Sequence, residues 1–431
     1  MSTLEESAAD RAVRDRAAHI QRRAVATLML SQVVGGVGMG TALAVGGLIA
    51  ERLTGSQSWS GLAVTMITLG AALFALPLAA IAARRGRRPG LSTGWFVAAL
   101  GALVVIAGAH IGVFPLFLLG MVLFGAGTAT NLQSRYAAAD LATERRRGRD
   151  LSVVVWATTI GSVAGPNLTG PGAAVAVRLG LMPLLGPFVF AAVVFVAAGL
   201  LTLVLLRPDP LVTAREMAAG ADQGAARPKR GFGAALRAIG RTPMAVLAVT
   251  TIVASHAVMV AVMTMTPVHM AHGGAELTVI GLTISLHIAG MFALSPVVGW
   301  LADRFGRVRT LLAGQGILIV SAVVSGMAGH SSALVATGLV LLGLGWSFGL
   351  VSASTLLAES LDVADRPGAQ GLSDLAMNLG GAGCGALSGV VLAAIGFGGL
   401  NGLAALLTLP VVAVAVWAVA RERTAGRPSA W

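Results

Sequence analysis

Long apolar runs alternate with short polar ones along almost the whole chain. Twelve of the runs reach the roughly 20 residues that a helix needs to cross a bilayer. They lie at about 24–50, 61–83, 91–110, 114–139, 151–175, 181–206, 244–268, 279–301, 309–328, 333–357, 371–395 and 400–420. The longest break in the pattern, 207–243, separates six runs from six. Its first part, with "RPDP" and "AAGADQGAARPKRG", reads as a linker. Its last part, "FGAALRAIGR", puts Phe232, Leu236 and Ile239 on one helical face and Arg237 and Arg241 on another, which suits a short helix lying at the membrane surface.

The two sets of six are related. "GWLADRFGRVR", Gly299 to Arg309, repeats "AAIAARRGRRP", Ala79 to Pro89, at an offset of 220 residues. Arg84 matches Arg304, Gly86 matches Gly306 and Arg87 matches Arg307, but Asp303 has Ala83 as its counterpart. The same offset superposes Gly61 on Gly281, Gly70 on Gly290, Gly125 on Gly345, Gly148 on Gly368, Gly161 on Gly381 and Gly165 on Gly385, with no gap from the second run to the fifth. Two parallel six-helix halves are the pattern of transporters that rock about a central site. The expected fold is therefore an all-α polytopic membrane protein. It has a cytoplasmic tail at 1–23, a six-helix bundle at 24–206, the linker at 207–243, a second six-helix bundle at 244–420 and a cytoplasmic tail at 421–431.

Composition strengthens this reading. The chain of 431 residues is 56% hydrophobic and 11% charged, against roughly a quarter charged in a soluble domain. One cysteine, Cys384, precludes a disulfide within the chain. The start, "MSTLEESAADRAVRDRAAHIQRR", lacks the apolar core of a signal peptide. A single lysine, Lys229, among 30 basic residues, with many Ala and Gly, points to a bacterial genome rich in GC.

The net charge of +12 suggests nucleic acid until the charges are placed. With the N-terminus inside, twenty-seven of the thirty basic residues fall in inside segments, Arg52 and Arg178 fall outside, and Arg135 lies near the end of the fourth run. That bias puts both termini in the cytoplasm, makes the basicity topogenic and argues against nucleic acid. A bacterial inner membrane is the expected location and the bilayer the expected environment.

On these motifs the chain resembles the major facilitator superfamily over essentially its whole length. "GWLADRFGRVR" is similar to that family's loop motif G-x-L-a-D-r-x-G-r-r, at the place of its second copy; the first copy is degenerate. "GSVAGPNLTG", with Gly161, Gly165, Pro166 and Gly170, is similar to the family's antiporter motif g-x-x-x-G-P-x-x-G-G, with Thr169 replacing one glycine. In the family that motif accompanies proton-driven drug export. The family's arginine in span 4 is replaced here by Met121, and the glutamine that follows it by Phe124. The resemblance implies the major facilitator fold, with alternating access and a proton-coupled exporter of small hydrophobic or amphipathic compounds. The rival reading is a proton-coupled importer of a metabolite or nutrient. A non-transporting sensor or scaffold would need an appended domain, and none is visible. No nucleotide, metal or nucleophile motif suggests an enzyme, and no cofactor is expected. The partners are a small-molecule substrate, protons and lipid, with the chain acting as a monomer.

The resemblance assigns a cytoplasmic gate to Asp303, Arg304, Gly306 and Arg307 and to Arg84, Gly86 and Arg87. It implies that Asp303 reaches the start of span 5 near Arg149; the plain alternative is that these charges only set topology. Asp374, near the start of span 11, is the clearest carboxylate close to the hydrocarbon, where ionisable groups are costly and usually functional. It pairs with Arg84 or Arg85, or it serves its own helix dipole. Gly120, Phe124, Thr128, Asn131 and Arg135 recur at helical spacing. Arg135 faces the cavity, pairs with Asp140 or Asp374, or snorkels to the interface. His256, on another helix that lines the family's cavity, is a proton carrier, a substrate contact or a packing residue. Asp374, His256 and Arg135 are thus the proton-coupling candidates, with Glu51 behind them. Gln32, Phe124, Asn131, Met259, Met263 and Trp346 are the substrate-cavity candidates. His269 and His272 are spaced i, i+3, but no nearby Cys or Asp completes a metal site.

Overall fold

A computed structural model describes residues 8–55, 59–221 and 232–424. Parts of both expected tails and of the linker, 1–7, 222–231 and 425–431, lie outside the described residues. Among the described residues every regular element is helical.

The first span is α1, Ala8–Thr54. It begins well before the apolar run, because residues 8–34 contain no Pro or Gly and many good helix formers. Then come α2 (Ser60–Arg85), α3 (Arg87–His110) and α4 (Phe114–Ala137). Span 5 is broken into α5 (Arg147–Asn167) and α6 (Thr169–Arg178). Pro171 has no N–H for the Asn167 carbonyl, so the ladder fails there. Span 6 is α7 (Gly186–Leu205), followed by α8 (Pro210–Ala221) and α9 (Phe232–Arg241) in the connection between the halves.

The second half opens with α10, Pro243–His272. Span 8 is broken like span 5, into α11 (Leu277–Phe292) and α12 (Ser295–Phe305), with Pro296 depriving the Phe292 carbonyl of its donor. Spans 9 and 10 are α13 (Arg307–Gly326) and α14 (Ser332–Glu359). Spans 11 and 12 share α15 (Arg366–Leu406), which turns sharply at Gly396 (φ 72°), and end in α16 (Leu409–Thr424). Ten described segments are long and apolar enough to cross a membrane. They become twelve spans when the broken span 5 is added and the segment 366–422 is counted as two.

Each half has its own core. In the first, Trp95 stacks on Phe195, and Phe124 packs edge-on against Phe188 and Phe195. In the second, Met259, Leu339, Trp346 and Leu350 are buried together. Large apolar side chains such as Leu103, Val193 and Val320 are exposed on the outer faces, where lipid would cover them. In α9, Ala235 and Ile239 are buried, while Leu236 faces outward; the Phe232 side chain lies outside the described residues. The halves meet chiefly where α2 packs on α15 and where α5 packs on α12. Both contacts involve the arginine-rich ends of their helices, called here the basic end.

Candidate functional site

At the basic end the repeated loops are tight turns. Gly306 (φ 97°) and Gly86 (φ 99°) adopt a backbone conformation that a side chain would strain. Just before the second turn, Asp303 reaches across to the other half. Its carboxylate accepts the backbone N–H groups of Gly148 and Arg149, each at 2.9 Å, at the start of α5. This is the contact expected of it, a carboxylate on a helix N-terminus with its unsatisfied donors and positive dipole end. The helices approach closely here: a Cβ on Gly148 would lie 2.8 Å from both Asp303 Oδ1 and the Gly299 carbonyl.

Arg307 ties this corner together. It pairs with Asp303 at 3.0 Å and Glu359 at 2.8 Å, and donates to the backbone carbonyl of Glu144 in the first half. Arg147 crosses in the opposite sense to Glu359 at 3.2 Å. Arg87, the counterpart of Arg307 in the first half, is buried. It holds Asp140 in a two-pronged pair, at 2.7 and 3.1 Å, and donates across the interface to Gln370 at 2.6 Å. The other motif arginines stay outside: Arg84 and Arg85 are exposed, and Arg304 lies beside Trp300 and Phe305 at the surface.

Deeper between the halves lies a second ion pair. Arg135 on α4 binds Asp374 on α15 at 2.7 Å, with both side chains about 1% exposed. Arg135 also donates to Ser354 on α14 at 3.0 Å and to the Tyr136 hydroxyl at 3.1 Å, and its guanidinium stands 4.5 Å from the Tyr136 ring. Asp374 is thus paired with Arg135 and not with Arg84 or Arg85. The buried Arg135 does not snorkel. One oxygen of Asp374, Oδ2, has no partner among the described residues.

The remaining candidates divide by half. Gln32 donates to the Asn131 carbonyl at 3.3 Å and to Thr158 at 3.4 Å, and the Asn131 amide donates to the same hydroxyl at 3.2 Å. That joins α1, α4 and α5 in one uncharged cluster. Phe124, expected at the cavity, is instead buried in the aromatic core of the first half, where its ring loses more water contact than it would at an open wall. In the second half, Trp346 donates to His256 at 3.2 Å. Met259 is buried beside that pair's core, and Met263 packs against it half-buried. Of the glycine–proline segment, Gly161 packs on Gly36 of α1 and Gly170 faces open space. The side-chain surroundings of Gly165 and Pro166 lie outside the described residues. Glu51 is half-buried near the end of α1.

Several partners had no sequence signal strong enough to single them out: Gln370, Tyr136, Ser354, Arg147 and Glu359. One signal did exist. Asp140 and Glu359 end spans 4 and 10, one residue out of register with the 220-residue repeat, and each holds the repeated loop arginine of its own half, Arg87 or Arg307. Among the described residues no cluster of His, Cys, Asp and Glu could hold a metal ion.

The profile of the Major Facilitator Superfamily matches residues 28–277 and 247–431. The uncharacterized MFS-type transporter YdeG of Bacillus subtilis is 39% identical over 403 residues, with 93% of each chain covered. The riboflavin transporter RfnT of Brucella anthropi is 30% identical over 370 residues, covering 83% of this chain and 85% of that one. Among solved structures, the human organic anion transporter MFSD10 (TETRAN) superposes with a TM-score of 0.73 at 16% identity, over 92% of this chain and 99% of that one.

Proposed function

The chain belongs to the major facilitator superfamily and is a secondary transporter rather than an enzyme, and from that premise we propose that it is a proton-coupled exporter of small hydrophobic or amphipathic compounds. The basic end faces the cytoplasm of a bacterial cell, both termini lie there, and a single chain carries the cycle.

The observation that carries the reading is the Arg135–Asp374 pair. It is a fully buried ion pair that ties one half to the other. Breaking such a pair by neutralising one partner costs about 3–5 kcal/mol, because the other charge is left buried. Every cross-half polar contact named above lies at the basic end, so this state is closed toward the cytoplasm. A proton arriving from outside binds the free oxygen of Asp374. Arg135 then loses its counter-charge, the tie fails, and the halves part at the basic end. The proton leaves to the cytoplasm, substrate binds, and the re-formed pair returns the protein to the outward-facing state. A proton shifts this equilibrium only because Asp374 meets different partners in the two states. The glycine–proline segment of span 5, similar to the family's antiporter motif, supports export.

A second reading, a proton-coupled importer of a small metabolite, is supported by the likeness to a riboflavin transporter. One experiment separates the two. Proteoliposomes are loaded with acidic or alkaline buffer and given labelled riboflavin, chloramphenicol or tetraphenylphosphonium. Export by antiport predicts accumulation driven by an acidic lumen and abolished by a protonophore. Accumulation driven by an acidic exterior establishes import instead. Uptake indifferent to the gradient and to the ionophore sinks proton coupling in either direction.

A further inference from the structure

Among the described residues three histidines of the second half make a hydrogen bond through a ring nitrogen, and two of them meet a carbonyl. His287 Nδ1 lies 2.7 Å from the Leu339 carbonyl, and His269 Nε2 lies 2.8 Å from the Gly329 carbonyl. Each of those nitrogens must carry a hydrogen. His256 is the reverse case. Its Nδ1 faces the Trp346 indole nitrogen at 3.2 Å. An indole N–H donates and cannot accept. His256 Nδ1 must therefore present a lone pair, and the ring's one hydrogen sits on Nε2. A second proton, on Nδ1, would set two hydrogens against each other in the same gap.

The indole is itself held in place. Trp346 is buried, and Phe292 packs edge-on against it at 5.6 Å. On the other side of the imidazole, α15 approaches with Gly381, where a Cβ would lie 2.6 Å from His256 Cδ2 and 2.8 Å from Nε2. A side chain at 381 would collide with that edge of the ring, so glycine there is what leaves the Nε2 side unblocked by a neighbouring side chain. His256 is half-buried, and no hydrogen bond from Nε2 occurs among the described residues. Met259, Met263 and Trp346 supply apolar surface nearby. In the first half the Gln32–Asn131–Thr158 cluster is uncharged, with Gln32 Oε1 buried and without a partner among the described residues.

We propose that Trp346 is a positioning residue that holds His256 as a neutral imidazole with its hydrogen on Nε2, and that this N–H is the second half's hydrogen-bond donor to an uncharged ligand bearing a carbonyl or ring-nitrogen acceptor. The proposal rests on the transporter reading and deepens it. The proton of the cycle belongs to Asp374, and His256 reads the ligand. Cationic lipophiles, which have no acceptor to offer, are poor ligands.

Nitrogen NMR of histidine-labelled protein, with His256 assigned by loss of its signal in His256→Gln, tests the first half of this. The wild type should show a bare Nδ1 and a protonated Nε2 at both about pH 6 and about pH 8, the range over which a free imidazole changes charge. Trp346→Phe, which keeps the ring and removes the donor, should release the mixture of tautomers. A protonated Nδ1 or an imidazolium at the lower pH overturns the proposal. The second half is tested by adding chloramphenicol, caffeine and tetraphenylphosphonium in turn. Either of the first two should move the Nε2–H resonance, and the cation should not; no shift with both neutral probes overturns the ligand contact. For a transported neutral probe, His256→Leu should raise KM about tenfold, the worth of one neutral hydrogen bond. His256→Gln, which keeps a donor near Nε2, should recover most of it, and the proton dependence should stay intact. Loss of proton-driven uptake at unchanged KM would move His256 into the proton path and overturn the assignment. The tautomer measurement needs no transported compound, so its failure is separable from failure of the transport reading.

Discussion

Asp374 is buried with one oxygen on Arg135 and the other unpaired, and that asymmetry sets what its removal should do. Asp374→Asn keeps the shape and strands the Arg135 charge, so thermal unfolding in detergent should reveal a loss of about 3–5 kcal/mol, together with loss of gradient-driven uptake. Adding Arg135→Gln removes the stranded charge and should restore most of the stability but none of the coupling. Retention of gradient-driven uptake by the single variant would take the proton away from Asp374. The motif arginines should part company in the same assay. Arg87→Ala leaves Asp140 buried without its partner and should cost several kcal/mol, whereas the exposed Arg84→Ala should stay within about 0.5 kcal/mol. Sequence alone ranked Arg84 and Arg87 together, because both sit in a repeated loop. A left-handed glycine lies between them, and helical periodicity cannot be carried across that turn. The partner of Asp374 was legible only as one of several alternatives, for a different reason. It is 239 residues away in the other half, and charge counting left several arginines equal.

Among the elements, the contact of α5 with α12 should govern how readily the basic end opens. Gly148→Ala would press a methyl group against the Asp303 carboxylate and the Gly299 backbone carbonyl, so that the helices must shift apart. Electron–electron distance measurements between labels at Arg145 and Asp362, in a Cys384→Ser background, should show the distribution shifting to longer separations. An unchanged distribution would mean that this contact does not hold the state. Asp303→Ala should shift it the same way by a smaller step, losing a helix cap worth about 0.5–2 kcal/mol. The Asp303 clasp was legible because the motif is repeated and pseudosymmetry names the facing helix. The breaks in spans 5 and 8 were less so. In span 5 the break falls after Asn167, where the missing donor is that of Pro171, which lies outside the glycine–proline pair that the motif singles out.

The whole molecule is closed at its basic end by two corners that are not alike. In one, Asp303 caps α5 and Arg307 gathers Asp303, Glu359 and the Glu144 carbonyl. In the other, Ala83 brings no acid. Closure rests on Arg87 to Gln370 and on tight packing of Gly371 against Ala79. Beside Asp140, a second acid at this corner is Asp209, from the connection between the halves. It accepts from the backbone of Arg88 at 2.7 Å and caps its own helix α8, while Arg215 of α8 donates to the Ala83 carbonyl at 3.0 Å. The repeat in the sequence announced two halves, and the mismatch of Ala83 with Asp303 announced that they differ. What closes this corner instead is the Arg87–Gln370 hydrogen bond and close helix packing, and the mismatch by itself could not point to either. In the proposed cycle, this corner is the one expected to part first when Asp374 is protonated. Ala83→Asp should strengthen it, setting a carboxylate at the start of α15 where helix-dipole attraction is worth about 0.3–1 kcal/mol. The expected result is a narrower distance distribution between Arg145 and Asp362 labels and slower turnover, with the ratio of protons to substrate unchanged. Faster turnover or a broader distribution would show that the missing acid is not what lets this corner move.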